Sequence, residues 1–203
     1  MKLTSRDKEI LQFINATGWC IAPQIGRRFS IKWWIVYRRM MQLKKAGLVQ
    51  HLRMSIEYHG VFYLTRQGAK YTDLPPVDGI SKGIYDHQRM LVDVVLTLRE
   101  RYPEAVWISE RHLVHEKFIN GIGKRGHVSD GLLIFPDEKR VAIEVELSVK
   151  GRRRIEGILK SYSGQLDIKE VWYFCSQSAF SMLTSLAVKK SFIKIFPIKE
   201  FLA

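Results

Sequence analysis

The sequence predicts a two-part α+β chain, a small helical unit closed by a β-hairpin and then a larger α/β unit. Three observations carry that prediction. The stretch "YTDLPPVDGISKG", residues 71–83, breaks both helical and strand periods with two prolines and two glycines, so it reads as a linker. Upstream of it the apolar spacing is first helical and then alternating. Downstream, strand-like runs alternate with helical ones. The boundaries that follow are 1–74 for the first part, 75–83 for the linker and 84–203 for the second part.

In the first part, Ser5 and Asp7 are placed to cap a helix bearing Ile10, Leu11 and Ile14, and Gly18 stops it. A second short helix begins near Ala22. The run "SIKWWIVYRRMMQLKKAGLVQ" reads as a third, capped by Ser30 and ended by Gly47. "LVQHLRM" and "GVFYLT" then alternate as the strands of a hairpin closed near Tyr58 to Gly60, and "TRQGAKY" adds a final turn. Three helices followed by a hairpin make a winged helix-turn-helix, whose third helix would enter a DNA groove with the hairpin beside it. On that helix Lys32, Arg38, Arg39, Lys44 and Lys45 are candidates to reach phosphates or bases, while Ile35, Met40, Leu43 and Leu48 supply the inner face. A merely solvated basic face is the other reading. Trp33 and Trp34, adjacent on one helix, cannot both point inward, so one is expected to stack on nucleic acid or pack on the second part.

The net charge of +13 favours a polyanionic partner. It is concentrated early: residues 1–74 hold 13 Lys and Arg against 4 Asp and Glu, and residues 75–203 hold 20 against 16. With 46% hydrophobic residues the 203-residue chain can bury a core. No run approaches the roughly 18 apolar residues of a membrane span, and "MKLTSRDKEI" lacks the apolar centre of a secretory signal, so a soluble, cytoplasmic protein without membrane insertion is expected. Cys20 and Cys175 form no metal-ligand spacing and read as small core hydrophobes.

The second part opens with the amphipathic run "DHQRMLVDVVLTLRERY", which turns Leu91, Val94, Val95 and Leu98 inward and stops at Pro103. "AVWIS", "VSDGLLIF" and "RVAIEVEL" are strand-like, the last two joined by a "PDEK" turn. A helix over Arg152 to Leu166, the strand "EVWYFCS", the helical run "AFSMLTSLAVKK" and the strand-like "FIKIFPI" complete the part.

Within "AIEVELSVKGRRR", Glu144 and Glu146 stand at i and i+2 of a strand, hence on one face and about 7 Å apart. At an effective dielectric of about 20 two charges at that separation repel by roughly 2 to 3 kcal/mol before any desolvation cost. Asp130, on an adjacent strand, adds to the penalty. Such carboxylates must protonate, lie exposed or meet a cation, and Mg2+ or Mn2+ relieves them directly. The other arrangement open to the strand is an edge position, with both glutamates in solvent and paired to Arg152, Arg153 and Arg154.

The order helix, three strands, helix, strand resembles the core of the restriction-endonuclease-like PD-(D/E)xK nucleases over about residues 84–176. The resemblance implies Asp130 as the first acid, Glu144 as the second, and a divalent metal held by Asp130, Glu144 and Glu146. The lysine slot two residues after the second acid is occupied by Glu146, and the nearest lysine, Lys150, takes that role instead. The spacing Glu-x-Glu-x-x-x-Lys, with an upstream Asp and an amino-terminal winged helix, resembles the MOBC-class mobilisation relaxases and related plasmid replication-relaxation proteins. That likeness implies a metal-dependent nickase acting on the duplex and single strand of a transfer origin, with other relaxosome proteins as partners. A non-catalytic DNA-binding regulator or relaxosome accessory factor, and a nuclease of defence or repair, are the alternatives.

Weaker signals surround this set. His87 shares a stripe with Leu91, Val94 and Leu98 and is either a core histidine or a neighbour of the site. "ERHLVHEK" offers Glu110, His112, His115 and Glu116, of which Glu116 is the preferred extra carboxylate and His115 a further candidate. "NGIGKRGH" contains a Gly-x-Gly-x-x-Gly string that opens no helix, so it reads as a basic loop with Lys124 and Arg125 as phosphate contacts rather than a dinucleotide site. Arg152, Arg153 and Arg154 form a backbone-contacting cluster, and Lys160 and Tyr162 lie further along the same helix. Nothing in the spacing singles out Tyr162 among the tyrosines as a nucleophile.

Overall fold

The computed structural model describes residues 2–121, 126–148, 151–188 and 190–203. It is a mixed α+β structure with a three-stranded and a five-stranded sheet. The chain divides into two compact units, residues 1–92 and 93–203. No helix among the described residues is long and apolar enough to cross a membrane.

The first unit begins with α1 (Ser5–Thr17), whose cap is Thr4. Its side chain accepts from Asp7 N while Thr4 N donates to Asp7 Oδ2 at 2.7 Å, a reciprocal pair that satisfies two helix-end donors. Gly18, at φ 83°, ends the helix where a side chain would be strained. β1 (Cys20–Ile21), α2 (Ala22–Phe29) and α3 (Trp33–Lys45) follow. At the α2–α3 turn a Cβ on Gly26 would fall 2.6 Å from Ile31 O, so only hydrogen fits there. α3 turns Val36, Met40 and Leu43 inward at i, i+4 and i+7, which leaves Ile35, expected on that face, 43% exposed.

β2 (Val49–Leu52) and β3 (Val61–Leu64) form the hairpin, and β1 pairs with the other edge of β3. α4 (Arg66–Ala69) is capped by Thr65. Asn15 Nδ2 then donates to Thr72 Oγ1 and Leu74 O, both at 2.7 Å, and ties the following segment to α1. A 3-10 turn over Lys82–Ile84 leads into α5 (Tyr85–Arg101). Tyr85 is buried with Trp19, Ile21 and Val61 and donates to His59 O at 3.1 Å, so the first turns of α5 belong to this unit.

The second unit holds the rest of α5, then β4 (Val106–Ser109), α6 (Glu110–Ile119), β5 (Gly131–Ile134), β6 (Arg140–Glu146), α7 (Arg152–Ser163), β7 (Glu170–Cys175), α8 (Gln177–Ala187), β8 (Ile193–Pro197) and α9 (Ile198–Leu202). The sheet order is β4-β5-β6-β7-β8. β4, β5 and β6 run antiparallel in turn, and β6, β7 and β8 run parallel. α6 has no apolar stripe to announce it, and none of its residues is buried; its clear signal is Ser109, whose hydroxyl caps it. Gly131 admits the Trp107 ring across it, since a Cβ there would lie 2.0 Å from the indole.

β6 is the central strand, and this decides the environment of its glutamates. Ala142 of β6 and Val171, Tyr173 and Cys175 of β7 form a core with Ile155, Leu159 and Tyr162 of α7 and Ala179, Leu183 and Leu186 of α8. Glu144 and Glu146 alternate with Val145 on the same face as Ala142 and are only 7% and 5% exposed. The edge arrangement, with both glutamates in solvent, is therefore overturned. Arg152 pairs instead with Glu156 at 3.0 Å on the surface of α7.

Candidate functional site

Glu144 is the centre of a buried polar cluster at the carboxy-terminal end of β6. The β5–β6 register pairs Gly131 with Ile143, so the residue before β5, Asp130, falls opposite Glu144. Asp130 Oδ2 accepts from Val145 N at 2.7 Å, which anchors the carboxylate to the β6 backbone. Glu146 Oε1 accepts from Ser148 N at 3.2 Å and from Ser148 Oγ at 3.3 Å. Glu144 Oε1 accepts the Tyr162 hydroxyl and lies 2.6 Å from His127 Nε2, so both contacts fall on one oxygen. The His127 and Tyr162 rings meet edge to face at 5.5 Å. The His127 side chain is 24% exposed against 10% for that of Glu144, which makes His127 the more solvent-exposed member of the pair.

The electrostatics follow from burial. Desolvation raises the Glu144 pKa, and the Asp130 charge pushes it further up against the lowering effect of His127 and Tyr162. For His127, burial pulls the pKa down. The hydrogen bond and charge of Glu144, with the charges of Asp130 and Glu110, outweigh it and leave the imidazole above its ordinary value. Burial and then the neighbouring Glu144 charge hold the Tyr162 hydroxyl far above the usual phenol range. Tyr173, directly across β7 from Glu144, is raised by burial and by the charges of Glu144, Glu146 and Asp130. Its hydroxyl is buried and has no hydrogen-bond partner among the described residues. The Cys175 thiol is pushed up to about 11 by burial and by Glu146.

Three carboxylates form an all-oxygen donor set of the kind Mg2+ and Mn2+ prefer. The Tyr173 hydroxyl, on the strand beside Glu144, is left without a hydrogen-bond partner among the described residues. Among the described residues no group of three or more His, Cys, Asp or Glu is placed so that it could hold a metal ion. Asp130, Glu144 and Glu146 are hard oxygen donors in kind, and as placed Glu144 satisfies itself on His127 and Tyr162.

The remaining candidates are distributed as follows. His115 is half-buried on α6 and Glu116 is exposed on it, whereas Glu110, at the amino end of that helix, contributes charge to His127. His112 Nδ1 lies 2.9 Å from Ser109 Oγ. His87 falls on α5 within the first unit. Lys150, Lys124 and Arg125 lie outside the described residues. Arg152, Arg153 and Arg154 are exposed in the first turn of α7, and Lys160 is exposed further along. His127, the partner that sequence reasoning passed over, stands three residues before Asp130 at the end of the glycine-rich string; that proximity to the first acid was the available signal.

In the first unit Lys32, which precedes α3, and Arg38, Lys44 and Lys45 on α3 are exposed. Arg39 is committed differently. Its Nε and Nη2 donate to the two oxygens of the buried Asp7 carboxylate at 2.8 and 2.6 Å, and its Nη1 donates to Gln42 at 2.7 Å. This fork clamps α3 to α1 and holds the Asp7 pKa down at about 2. Comparison of the chain with protein-family models, curated proteins and solved structures found no match.

Proposed function

We propose that the protein is a metal-dependent DNA nicking endonuclease of the relaxase kind, whose first unit is a winged helix-turn-helix that docks on duplex near a transfer origin and whose second unit is a PD-(D/E)xK-like core that cuts. The observation that carries this reading is the pairing of Asp130 with Glu144 across β5 and β6, with Glu146 two residues on and the orphaned Tyr173 hydroxyl facing them from β7. The order α5, β4, α6, β5, β6, α7, β7 supports it apart from one added helix, α6, between the first and second strands; Asp130 stands immediately before the second strand and Glu144 on the third.

Asp130, Glu144 and Glu146 are the residues that would hold Mg2+ or Mn2+. Bound there, the ion would supply Lewis-acid stabilisation of the charge developing on a scissile phosphate. The chain contributes the rest. Val145 N fixes Asp130, Tyr162 and His127 fix Glu144, and a lysine, Lys150 in this reading, neutralises phosphate charge. The positive excess of residues 1–74 draws the polyanion to the first unit.

The test is a nicking assay on supercoiled plasmid carrying the DNA that flanks the gene, with and without Mn2+. Conversion to open circles in Mn2+, abolished by Asp130→Ala and Glu144→Ala while duplex binding persists, is the expected result. One observation favours a second reading: Glu144 already has two partners in His127 and Tyr162 and needs no metal to be buried. On that reading the protein is a DNA-binding regulator or accessory factor with a nuclease-like scaffold. Calorimetric titration with Mn2+ giving no heat, together with no nicking, would select it. Cutting with no preference for the flanking sequence would instead indicate a nuclease of defence or repair.

A further inference from the structure

α3 begins with two tryptophans that the fold leaves uncovered. Trp33 and Trp34 are 53% and 51% exposed, and Tyr37, one turn on, is 39% exposed. The inward stripe of Val36, Met40 and Leu43 explains why neither indole is needed by the core. The two rings meet edge to face at 6.0 Å and 88°, so one presents its flat face beside the edge of the other. Two half-exposed indoles on one helical turn are a costly surface in water, since each carries one of the largest apolar areas of any side chain.

The chemistry around them selects what could cover them. Between Glu9 and Glu57 the sequence contains no Asp or Glu, but it contains Arg27, Arg28, Lys32, Arg38, Arg39, Lys44, Lys45 and Arg53. Lys32 Nζ stands 5.3 Å from the centre of the Trp34 ring. Arg38 follows Trp34 at i+4 and Lys44 follows Trp33 at i+11, so each exposed stripe of α3 runs from an indole to a cation. An apolar protein partner would be repelled by neither feature but would gain nothing from the cations. A polyanion with flat apolar faces uses both.

In a closed duplex those faces are hidden in the base stack, and the grooves offer polar edges that an indole reads poorly. Unpaired bases expose them, and stacking on aromatic side chains beside basic residues is the common means of gripping a single strand. We infer that Trp33 and Trp34 form a stacking platform for unpaired bases, so that α3 binds DNA whose strands are separated next to a duplex in preference to closed duplex. The inference rests on the DNA-binding half of the function proposed above and is independent of the metal site.

The experiment compares fluorescein-labelled probes of equal length at one salt concentration: a blunt duplex, the same duplex with an unpaired single-stranded tail, and the tail alone. The full chain should bind the tailed duplex at least about tenfold more tightly than the blunt one, the range expected for stacking one or more bases. Trp33→Ala with Trp34→Ala should erase that preference, lowering tailed-duplex affinity to that of the blunt duplex, while the thermal midpoint stays unchanged. Trp33→Phe with Trp34→Phe, which keeps flat faces, should restore part of it. Equal binding of tailed and blunt probes by the wild type would overturn the stacking platform and leave duplex docking intact. No binding of any probe would overturn both this inference and the DNA-binding role of the first unit. Wild-type dimers that the double Ala variant turns into monomers in sedimentation would assign the tryptophans to a contact between copies of the chain and likewise overturn it.

Discussion

His127 Nε2 lies 2.6 Å from Glu144 Oε1, the same oxygen that accepts the Tyr162 hydroxyl. A carboxylate on the central strand of a sheet is thus held by one residue from the loop before β5 and one from α7. The arrangement fixes the carboxylate in place and explains how a charge-bearing side chain is kept in a core of Ala142, Leu159 and Val171.

Tyr162 donates its hydroxyl to Glu144 and so serves to position that carboxylate. Tyr162→Phe should therefore retain nicking and should cost about 1 to 3 kcal/mol of stability, because Glu144 keeps its burial and loses a donor. Thermal denaturation and plasmid nicking measured side by side check this. Loss of all cutting with an unchanged midpoint would make Tyr162 the attacking group.

Tyr173 is the reverse case. Its hydroxyl is buried without a partner among the described residues, so removing it forfeits no hydrogen bond. In chelator-treated protein, Tyr173→Phe should leave stability unchanged or raise it by up to about 1 kcal/mol. A loss larger than that in a denaturant titration would mean that the hydroxyl is satisfied in solution.

Arg38 and Arg39 are neighbours in sequence with different work. Arg38→Ala should leave the fold intact, weaken duplex binding and reduce the slope of log K against log salt by about 0.9 if it neutralises one phosphate. Arg39→Ala should instead cost about 2 kcal/mol of stability, since it removes charge-assisted bonds to the buried Asp7. Filter binding across a salt series and urea unfolding separate the two, and equal effects on both readouts from both variants would refute the division.

The Asp7 clamp also sets an acid limit. Its hydrogen bond to Arg39 leads the causes that lower its pKa from 3.8 to about 2 in the folded chain. A depressed carboxylate stabilises fully above its unfolded value and loses that contribution as pH falls through the folded value. About 2 kcal/mol should therefore disappear between about pH 4 and pH 2. Asp7→Asn should flatten the stability profile of the first unit over that interval. A variant profile as steep as the wild type there would place the acid sensitivity elsewhere.

Much of the local structure was legible. The Gly18 stop, the start of α2 at Ala22, the hairpin of β2 and β3 and the run of β5, β6, α7 and β7 all follow from caps, turns and apolar period. The signal failed where it was thin. α6 carries no buried residue and hence no stripe, β1 is two residues long, and Ile35 lost the inner face of α3 to Val36 by one helical step. Arg39 looked like its neighbour Arg38 because nothing local distinguishes a cation left exposed from one paired with a carboxylate 32 residues away.

The sequence by itself determined that Glu144 and Glu146 share a face, because a strand's side-chain period is two, and that the positive charge gathers in residues 1–74. Only the tertiary structure decided that this face is buried, that Asp130 lies opposite Glu144, and that His127 and Tyr162 converge on one carboxylate oxygen from 17 and 18 residues away on either side. The reason is range. Periodicity is written by neighbours along the chain, whereas strand order and the desolvation of a charge depend on which distant segments the core brings together.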